Sequence, residues 1–206
     1  MKNQNDAGPG APQGWAHRSA RHDDADYVAM IDTLREFQDV LAAAAPDAAT
    51  ISALKADLAA WRDRLQPMAV KERKRPWSHQ RAYPGRGQTM LPLVTELAGD
   101  GQRRRGKVTF GDFYLGGNGA VHGGAIPLMF DEVMGWLSSV GRGAARTAYL
   151  HVNYRVITPV GKALTVEVWF DRDQGRKRWI RSELRDGDVL LADAEGLFVE
   201  LRPGQP

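Results

Sequence analysis

The 206-residue sequence contains no cysteine. Disulfide bonds, a thiolate nucleophile and a thiolate metal site are therefore excluded. Two motifs of other hydrolase classes are also missing: the G-x-S-x-G elbow of a serine nucleophile and the H-E-x-x-H pair of a zinc site. Any hydrolytic chemistry must rest on carboxylate, histidine or backbone groups. We expect neither a metal nor a redox cofactor.

Long apolar runs are missing as well. No stretch approaches the ~20 residues that a membrane helix needs, and the opening MKNQNDAGPGAPQGW contains no apolar core of a secretion signal. With 43% hydrophobic and 26% charged residues, the composition is typical of a soluble globular protein. We therefore expect a cytoplasmic protein with no membrane insertion.

The net charge of +3 is small, but the 28 basic residues cluster in three places. These are Lys71 to Arg75, Arg103 to Arg105, and Arg172 to Arg178. Nucleic-acid binding calls for aromatic residues interleaved with the charges in a recognised module, and there is none, so no nucleic-acid partner is expected. The first two clusters are typical of a solvated surface. The third suits a polyphosphate ligand.

The N-terminal part of the chain divides into three segments. Residues 1–22 are poor in apolar residues, which predicts a disordered tail. Residues 23–66 predict a helical hairpin with one buried side, packed against the C-terminal domain of the same or a neighbouring subunit; the alternative is a docking module for another protein. Pro46 ends the first helix, Asp47 caps the second, and residues 67–90 read as a linker. The apolar stripes are Tyr27, Met30, Ile31, Leu34, Phe37, Val40 and Leu41, then Ile51, Leu54, Leu58, Trp61 and Leu65.

The stretch from Gly117 to Gly141 begins with glycines around a histidine and continues as a helix. From Ile126 its apolar residues recur at steps of three and four. Glycine allows the backbone to bend sharply or to approach a ligand closely. Because the first amides of a helix are unpaired and carry partial positive charge, the Gly123 region could bind an oxyanion.

The spacing between His122 and Asp131 predicts an oligomer. The two residues are nine positions apart, about 900° of rotation and roughly 13 Å along a helix axis, so they face opposite ways. A site that needs both the amides near His122 and the Asp131 carboxylate is hard to build from one copy. Two copies about a two-fold axis could build it, so we expect at least a dimer, with a tetramer as the alternative.

The region around this helix predicts strands. In Thr147 to Ile157 the even positions are mostly apolar and the odd positions polar, so that Thr147, Asn153 and Arg155 share one strand face. Small residues at alternate positions of the last strand would let the helix lie close to the sheet. One long helix against an antiparallel sheet is an α+β architecture. The predicted strands begin with Leu91 to Leu97 and Arg103 to Phe110, and four more follow the helix.

The segments HGGAIPLMFDEVMGW, TAYLHVNYRVITPVGKALTVEVWF and GRKRWIRSELRDGDVLLADAEGLFVEL resemble the hotdog-fold acyl-CoA thioesterases of the PaaI-like branch. The resemblance covers residues 91–201 and implies a hotdog domain, a long central helix wrapped by an antiparallel sheet. It implies that Asp131 acts as general base or as a nucleophile forming a mixed anhydride; an ionised aspartate is open to either role. It further implies that the Gly123 N–H is the oxyanion donor and that Thr147 orients the acid or the water. His122 would hold the turn or contact the thioester.

The same resemblance implies contacts to coenzyme A at Asn153, Arg155, Arg176 and Lys177, which suit its phosphates.

Phenylacetate-pathway members have an asparagine six residues before the histidine, where this chain has a glycine. Asn118, two residues later, could replace it as a substrate contact. The departure favours a fatty-acyl substrate over an aryl-acetyl one.

The expected function is that of an acyl-CoA thioesterase, which hydrolyses an acyl-CoA thioester to a free acid and coenzyme A. Two alternatives retain the ligand: a hotdog enoyl-CoA hydratase or dehydratase, and a non-catalytic acyl-CoA-binding scaffold. The candidate residues could also have purely structural or solvent-exposed roles. Asp131 could be a solvent-facing helix carboxylate, Thr147 an ordinary strand threonine, and Glu132 a structural acid.

Overall fold

The computed structural model describes residues 22–77 and 83–205, so almost all of the predicted disordered tail lies outside the described residues. Two helices come first, followed by a mixed region of strands around a third helix. None of the described helices combines the length and the apolar character that crossing a membrane requires. The elements are α1 (His22–Ala43), α2 (Ala48–Leu65), β1 (Val94–Gly99), β2 (Arg103–Thr109), β3 (Leu115–Gly117), β4 (Ala120–Val121), α3 (Ala125–Ser138), β5 (Ala145–Tyr154), β6 (Ala163–Gln174), β7 (Lys177–Asp186) and β8 (Val189–Glu200).

Six strands form one antiparallel sheet in the order β1-β2-β6-β7-β8-β5, and β3 and β4 form a small separate ribbon. Helix α3 packs on one face of the large sheet, and its apolar residues enter the core together with the inward-facing residues of β6, β7 and β8. The predicted α+β architecture is confirmed. The sheet leaves β5 as an edge strand, and an edge strand presents unpaired backbone groups to a partner.

Close contact between α3 and β8 depends on small residues in the strand. Ala192 and Ala194 are buried, and a Cβ added at Gly196 would lie 2.8 Å from the Met134 sulfur. This distance is shorter than carbon and sulfur tolerate, so a side chain at position 196 would push the helix off the sheet. The small alternate residues predicted to admit the helix do so.

A β-bulge at Ala148 changes which side chains of β5 share a face. Thr147 pairs with Phe198 of β8, but the next paired residues are Tyr149 and Leu197, so one residue of β5 is extra. Such an insertion turns the residues on its two sides to opposite faces. Thr147 therefore shares the face of buried Phe198, towards α3, whereas Asn153 pairs with Asp193 on the outer face.

The prediction that Thr147, Asn153 and Arg155 share one face is therefore wrong. Period-two alternation assumes a regular strand, and the bulge breaks the count. The strand also ends at Tyr154, so Arg155 lies just beyond it.

Helix α1 packs against the domain that contains the sheet. Ile31 is buried, with 1% of its surface exposed. The Tyr27 hydroxyl donates to the Gly87 carbonyl at 3.0 Å, and Arg35 Nη1 donates to the Leu91 carbonyl at 2.9 Å. Farther along the helix, Asp39 accepts the Phe113 N–H at 2.9 Å. These contacts join α1 to the segments that precede β1 and β3.

Helix α2 begins as predicted, because the Asp47 carboxylate accepts the Thr50 N–H at 2.7 Å. However, none of its residues is buried in the described part of the chain. In the described part of the chain, its own domain does not cover this helix, so the expected packing against a neighbouring subunit stays a prediction. An apolar stripe shows that a helix has a face to bury, but it does not identify what covers that face. The division of the chain into hairpin, linker and domain stays a prediction.

Candidate active site

The turn that leads into α3 requires glycine at position 116. A Cβ added at Gly116 would lie 2.7 Å from the His122 Cα, too close for any side chain. The absence of an asparagine there therefore has a steric cause in this chain. Asn118 lies in the turn between β3 and β4 with a φ of 51°, a left-handed conformation that asparagine tolerates better than most residues.

His122 holds this turn together. Its Nδ1 accepts the Gly124 N–H at 3.0 Å, its own N–H donates to the Tyr114 carbonyl at 2.7 Å, and its carbonyl accepts the Ala125 N–H at 2.9 Å. The imidazole thus orders the entry to the helix. This arrangement matches the first of the two roles that the family resemblance implied, and contact with the thioester stays a prediction.

The peptide group that follows the Gly123 N–H, which joins Gly123 to Gly124, is held at both its carbonyl and its N–H. The Tyr154 hydroxyl donates to the Gly123 carbonyl at 2.6 Å, while the following N–H of Gly124 is held by His122. Within residues 22–77 and 83–205, the Gly123 N–H itself has no hydrogen-bond acceptor. A fixed, unpaired amide at a helix N-terminus is suited to bind an oxyanion.

Tyr154 was not identified from the sequence as a site residue. It occupies an even position of β5 and was counted with the apolar, core-facing set. Its ring lies towards α3, since Tyr154 pairs with buried Ala192, and its hydroxyl reaches the glycine turn. The sequence did contain one indication of this role: a tyrosine ends an otherwise apolar strand face, and a tyrosine hydroxyl on such a face needs a hydrogen-bond partner.

Asp131 lies half-buried on α3, on the side nearest β5. The Thr147 hydroxyl donates to its Oδ1 at 2.8 Å. Thr147 is its only hydrogen-bond donor in the part of the chain that the structure describes, so one carboxylate oxygen stays available to a water or a carbonyl carbon. The contact agrees with one of the two roles that the family resemblance implied for Thr147, to orient the acid or the water, and the catalytic role itself stays a prediction.

Strand β5 supports the two halves of the candidate site at its opposite ends. Thr147 holds Asp131 near the start of the strand, and Tyr154 holds the Gly123 carbonyl at its end. Gly123 lies just before α3 and eight positions before Asp131, about 12 Å at the helical rise of 1.5 Å per residue. One chain therefore contains both halves but does not bring them together.

Asn153 and Arg155 both contact Asp193 on the outer face of the sheet. Asn153 Nδ2 donates to the Asp193 carboxylate at 2.9 Å, and Arg155 Nε donates to its other oxygen. The Arg155 guanidinium lowers the pKa of Asp193, and the carboxylate in turn raises the pKa of Arg155. About half of the Arg155 side chain remains exposed, at 52%, so it can still meet an anion.

Arg176 and Lys177 lie at the other end of the sheet. Arg176 Nη1 donates to the Glu200 carbonyl at 2.9 Å, and Lys177 is exposed opposite Val199. Along β8, Val199 and Asp193 are six residues apart, which at ~3.3 Å per residue is about 20 Å. The structure does not bring the two pairs of predicted coenzyme A contacts together within one chain.

Much of the third basic cluster is engaged within the fold. Arg178 is buried and donates to the carbonyls of Ser138 and Gly143 and to Glu200, so it fixes the C-terminal end of α3. Arg172 stacks over the Trp179 ring at 3.9 Å. The polyphosphate prediction for this cluster therefore rests on its two exposed members at the turn, Arg176 and Lys177.

Glu132 and Asp131 have different surroundings although they are adjacent. Arg86 Nε donates to Glu132 Oε1 at 2.7 Å, on the flank of α3 away from β5. A cavity of about 490 Å³ on that flank is bordered by Glu132 and Trp136 and not by Asp131. It is therefore separate from the candidate catalytic groups. Among the described residues, no three His, Cys, Asp or Glu side chains lie close enough together to hold a metal ion.

Comparison with solved structures identifies the fold. The crystal structure of a thioesterase superfamily protein aligns with a TM-score of 0.71 and 27% identity, covering 84% of this chain and 90% of that one. A structure from Lactococcus lactis aligns with a TM-score of 0.50 over 53% of this chain and 93% of that one; at 14% identity it shows the fold alone. The chain has the hotdog fold, and the larger alignment extends into the N-terminal helices.

Sequence comparison gives relatives that are named as acyl-coenzyme A thioesterases. The acyl-coenzyme A thioesterase THEM4 of Bos taurus is 33% identical over 95 residues, 45% of this chain and 39% of the relative. Its Mus musculus counterpart is 31% identical over 90 residues, 43% of this chain and 39% of the relative. The chain thus spans about two fifths of these curated relatives. No family model matches it. The resemblance to hotdog-fold thioesterases is confirmed.

Proposed function

We propose that the protein is an acyl-CoA thioesterase that hydrolyses a fatty-acyl thioester to the free acid and coenzyme A. The observation that carries the proposal is the hydrogen bond from Thr147 to Asp131, beside the open β5 edge. The relatives named as acyl-coenzyme A thioesterases support the substrate class. The enoyl-CoA hydratase and scaffold alternatives have no comparable support in the described geometry.

Two routes are compatible with the position of Asp131. As general base, the carboxylate takes a proton from water while the water oxygen attacks the thioester carbon. As nucleophile, it attacks that carbon itself, and water then cleaves the mixed anhydride. In both routes the carbonyl oxygen becomes an oxyanion that a Gly123 N–H stabilises, and the carbon–sulfur bond breaks to release the coenzyme A thiolate. Thr147 keeps the carboxylate oriented throughout.

The site is completed by a second copy of the chain. If two β5 edges pair antiparallel about a two-fold axis, the Thr147 end of one strand meets the Tyr154 end of the other. Asp131 of one copy then faces the glycine turn of the other, which removes the separation of about 12 Å within one chain. The same pairing places Asn153 and Arg155 of one copy at the end of the sheet where the second copy has Arg176 and Lys177.

A panel of acyl-CoA thioesters, assayed with a chromogenic thiol trap, tests the proposed reaction. We expect one free thiol for each acid formed, with rates that rise along the fatty-acyl series above those for phenylacetyl-CoA. A hydratase would consume an enoyl-CoA without liberating thiol. A scaffold would bind the ligands without turnover. Either of these outcomes would replace the proposal.

Removing the cations at the β6–β7 turn should weaken substrate binding more than chemistry. In the Arg176→Ala, Lys177→Ala variant we expect KM to rise roughly tenfold and kcat to change less, because charge-assisted contacts to phosphate act mainly in binding. KM of the wild type should also rise with salt more steeply than KM of the variant. The matched control is Arg105→Ala with Lys107→Ala, which removes two exposed cations from the distant strand β2. Equal KM values in the wild type and the Arg176, Lys177 variant would move the nucleotide site elsewhere.

Tyr154→Phe should lower kcat by roughly fivefold with little change in KM, because one hydrogen bond of ~1 kcal/mol is lost from the Gly123–Gly124 peptide, which is next to the Gly123 N–H. The matched control is Tyr149→Phe on the same strand, whose hydroxyl donates to Glu195 at 2.8 Å on the outer face. Steady-state kinetics and thermal melts of both variants separate the roles. A lower melting temperature with unchanged kcat would show that Tyr154 only stabilises the fold.

A further inference from the structure

Helix α2 presents an apolar face that nothing in the described part of the chain covers. Four of its large apolar side chains are more than half exposed: Ile51 at 53%, Leu58 at 51%, Trp61 at 55% and Leu65 at 58%. Leu54, which lies between them on the same face, is half-buried. Exposure of contiguous apolar surface on this scale is typical of an interaction site.

The spacing of these residues is that of a coiled-coil seam. Ile51, Leu54, Leu58, Trp61 and Leu65 follow one another at steps of three, four, three and four. This sequence places Ile51, Leu58 and Leu65 at the first heptad position and Leu54 and Trp61 at the fourth. A helix packed on a globular core has a wider apolar face with a third position per heptad, so the narrow seam favours a single partner helix.

The charged residues that flank the seam fit a second copy of the same helix. In a parallel, in-register pair, Asp57 lies opposite Arg62 of the other copy, five residues farther along, and symmetry makes this contact twice. An antiparallel pair would instead bring Asp57 opposite Asp57 in one register. In the next register, the attraction of Asp57 to Arg64 is offset by Lys55 opposite Arg62. Among the described residues Arg62 pairs with its neighbour Asp63, with both side chains largely exposed at 71% and 63%, and such a pair contributes little.

The balance of charge argues against a lipid surface as the partner. Within α2, Lys55, Arg62 and Arg64 are offset by Asp57 and Asp63, which leaves a net charge of only +1 by count. A helix that lies on an anionic bilayer is rich in lysine and arginine on its polar face. An opposite-charge contact across the seam, such as Asp57 with Arg62, is instead the kind of pair that selects a helical partner and its orientation.

We propose that α2 pairs with α2 of a second copy as a parallel two-stranded coiled coil. Two heptads are marginal alone, so the pair depends on a second contact between the same chains, such as the β5 edge, to raise the effective concentration. This inference does not depend on the proposed enzymatic activity.

The absence of cysteine makes a direct test available. Leu58→Cys places one thiol per chain at a seam position that meets its own symmetry mate. Ala60→Cys, also exposed, places it about 200° farther round the helix. Under mild oxidation of the full chain we expect the Leu58→Cys variant to form a disulfide-linked dimer at least about tenfold faster than the Ala60→Cys variant.

Ile51→Cys checks the direction of the pair. In a parallel pair residue 51 meets its own mate, so this variant should also cross-link, whereas an antiparallel pair places the two thiols at opposite ends. Asp57→Arg should slow the cross-linking of Leu58→Cys, and adding Arg62→Asp should restore it. Equal rates for Leu58→Cys and Ala60→Cys, or no self-linking at Leu58, would overturn the proposal in favour of another partner. Cross-linking at Leu58 but not at Ile51 would overturn its parallel orientation.

Discussion

Replacing Asp131 by asparagine should remove most of the turnover, by roughly 10²-fold to 10⁴-fold, and leave the fold and coenzyme A affinity intact. The amide has nearly the same shape and can still accept the Thr147 hydroxyl hydrogen bond, but it neither takes a proton from water nor attacks a thioester carbon. Thiol-release kinetics give kcat, and titration with coenzyme A gives the affinity. A residual kcat within about threefold of wild type would take Asp131 out of the chemistry.

Glu132→Gln is the matched control for this variant. The substitution removes the neighbouring carboxylate, which is bonded to Arg86 on the other flank of α3. We expect a much smaller change in kcat than for Asp131→Asn, because this flank does not face the β5 edge. Comparable losses in the two variants would show that the effect arises from removing charge on the helix and not from the position of one carboxylate.

The periodicity of the sequence predicted those helices and strands whose apolar residues all face the core. Helix α3 and strand β6 illustrate this, because Met129, Val133, Leu164 and Val166 are all buried at the positions that their spacing indicates. The Asp186–Gly187 pair between β7 and β8, a sequence typical of a tight hairpin, forms the turn there, with Gly187 at a φ of 56°. Local pattern and tertiary packing agree in these elements.

The bulge at Ala148 is the feature that period-two counting could not predict. Alanine is compatible with either face of a strand, so the sequence contained no signal of an extra residue. The consequence for the site is large, since the bulge turns Thr147 towards Asp131 while Asn153 stays on the outer face. Without it, Thr147 would lie on the opposite face from the helix.

Hydrogen bonds made by individual polar side chains also could not be predicted from the sequence. Arg178 belongs to a cluster that suited a polyphosphate, yet it is buried against the carbonyl of Ser138, the last residue of α3. Tyr154 looked like an apolar strand residue, yet its hydroxyl holds the glycine turn. In both cases the partner is a backbone carbonyl that is distant in the sequence, and residue type alone does not identify such a partner.

A site shared between two copies leads to an unusual expectation for mixed dimers. Asp131→Asn and Gly123→Pro should each inactivate the homodimer, the second because proline has no N–H to offer the oxyanion. Gly123→Ala is the control for Gly123→Pro, since an added Cβ would lie no closer than 3.7 Å to its nearest neighbour, the Tyr154 hydroxyl oxygen, and the N–H is kept. Its activity should stay well above that of the proline variant.

In a heterodimer of the two inactive variants, the lesions divide unequally between the sites. If Asp131 of one copy works with Gly123 of the other, one site receives both lesions and the other receives neither. If each chain were self-contained, both sites would carry one lesion. Co-expression with two different affinity tags allows the heterodimer to be isolated from the two homodimers.

The thiol-release rate of the isolated heterodimer tests the shared site most directly. We predict about half of the wild-type rate per dimer, because one intact site remains. Circular dichroism of the heterodimer must match that of the wild type, so that loss of structure cannot explain the result. A correctly folded heterodimer with no activity above that of its parent homodimers would contradict a site shared between two copies.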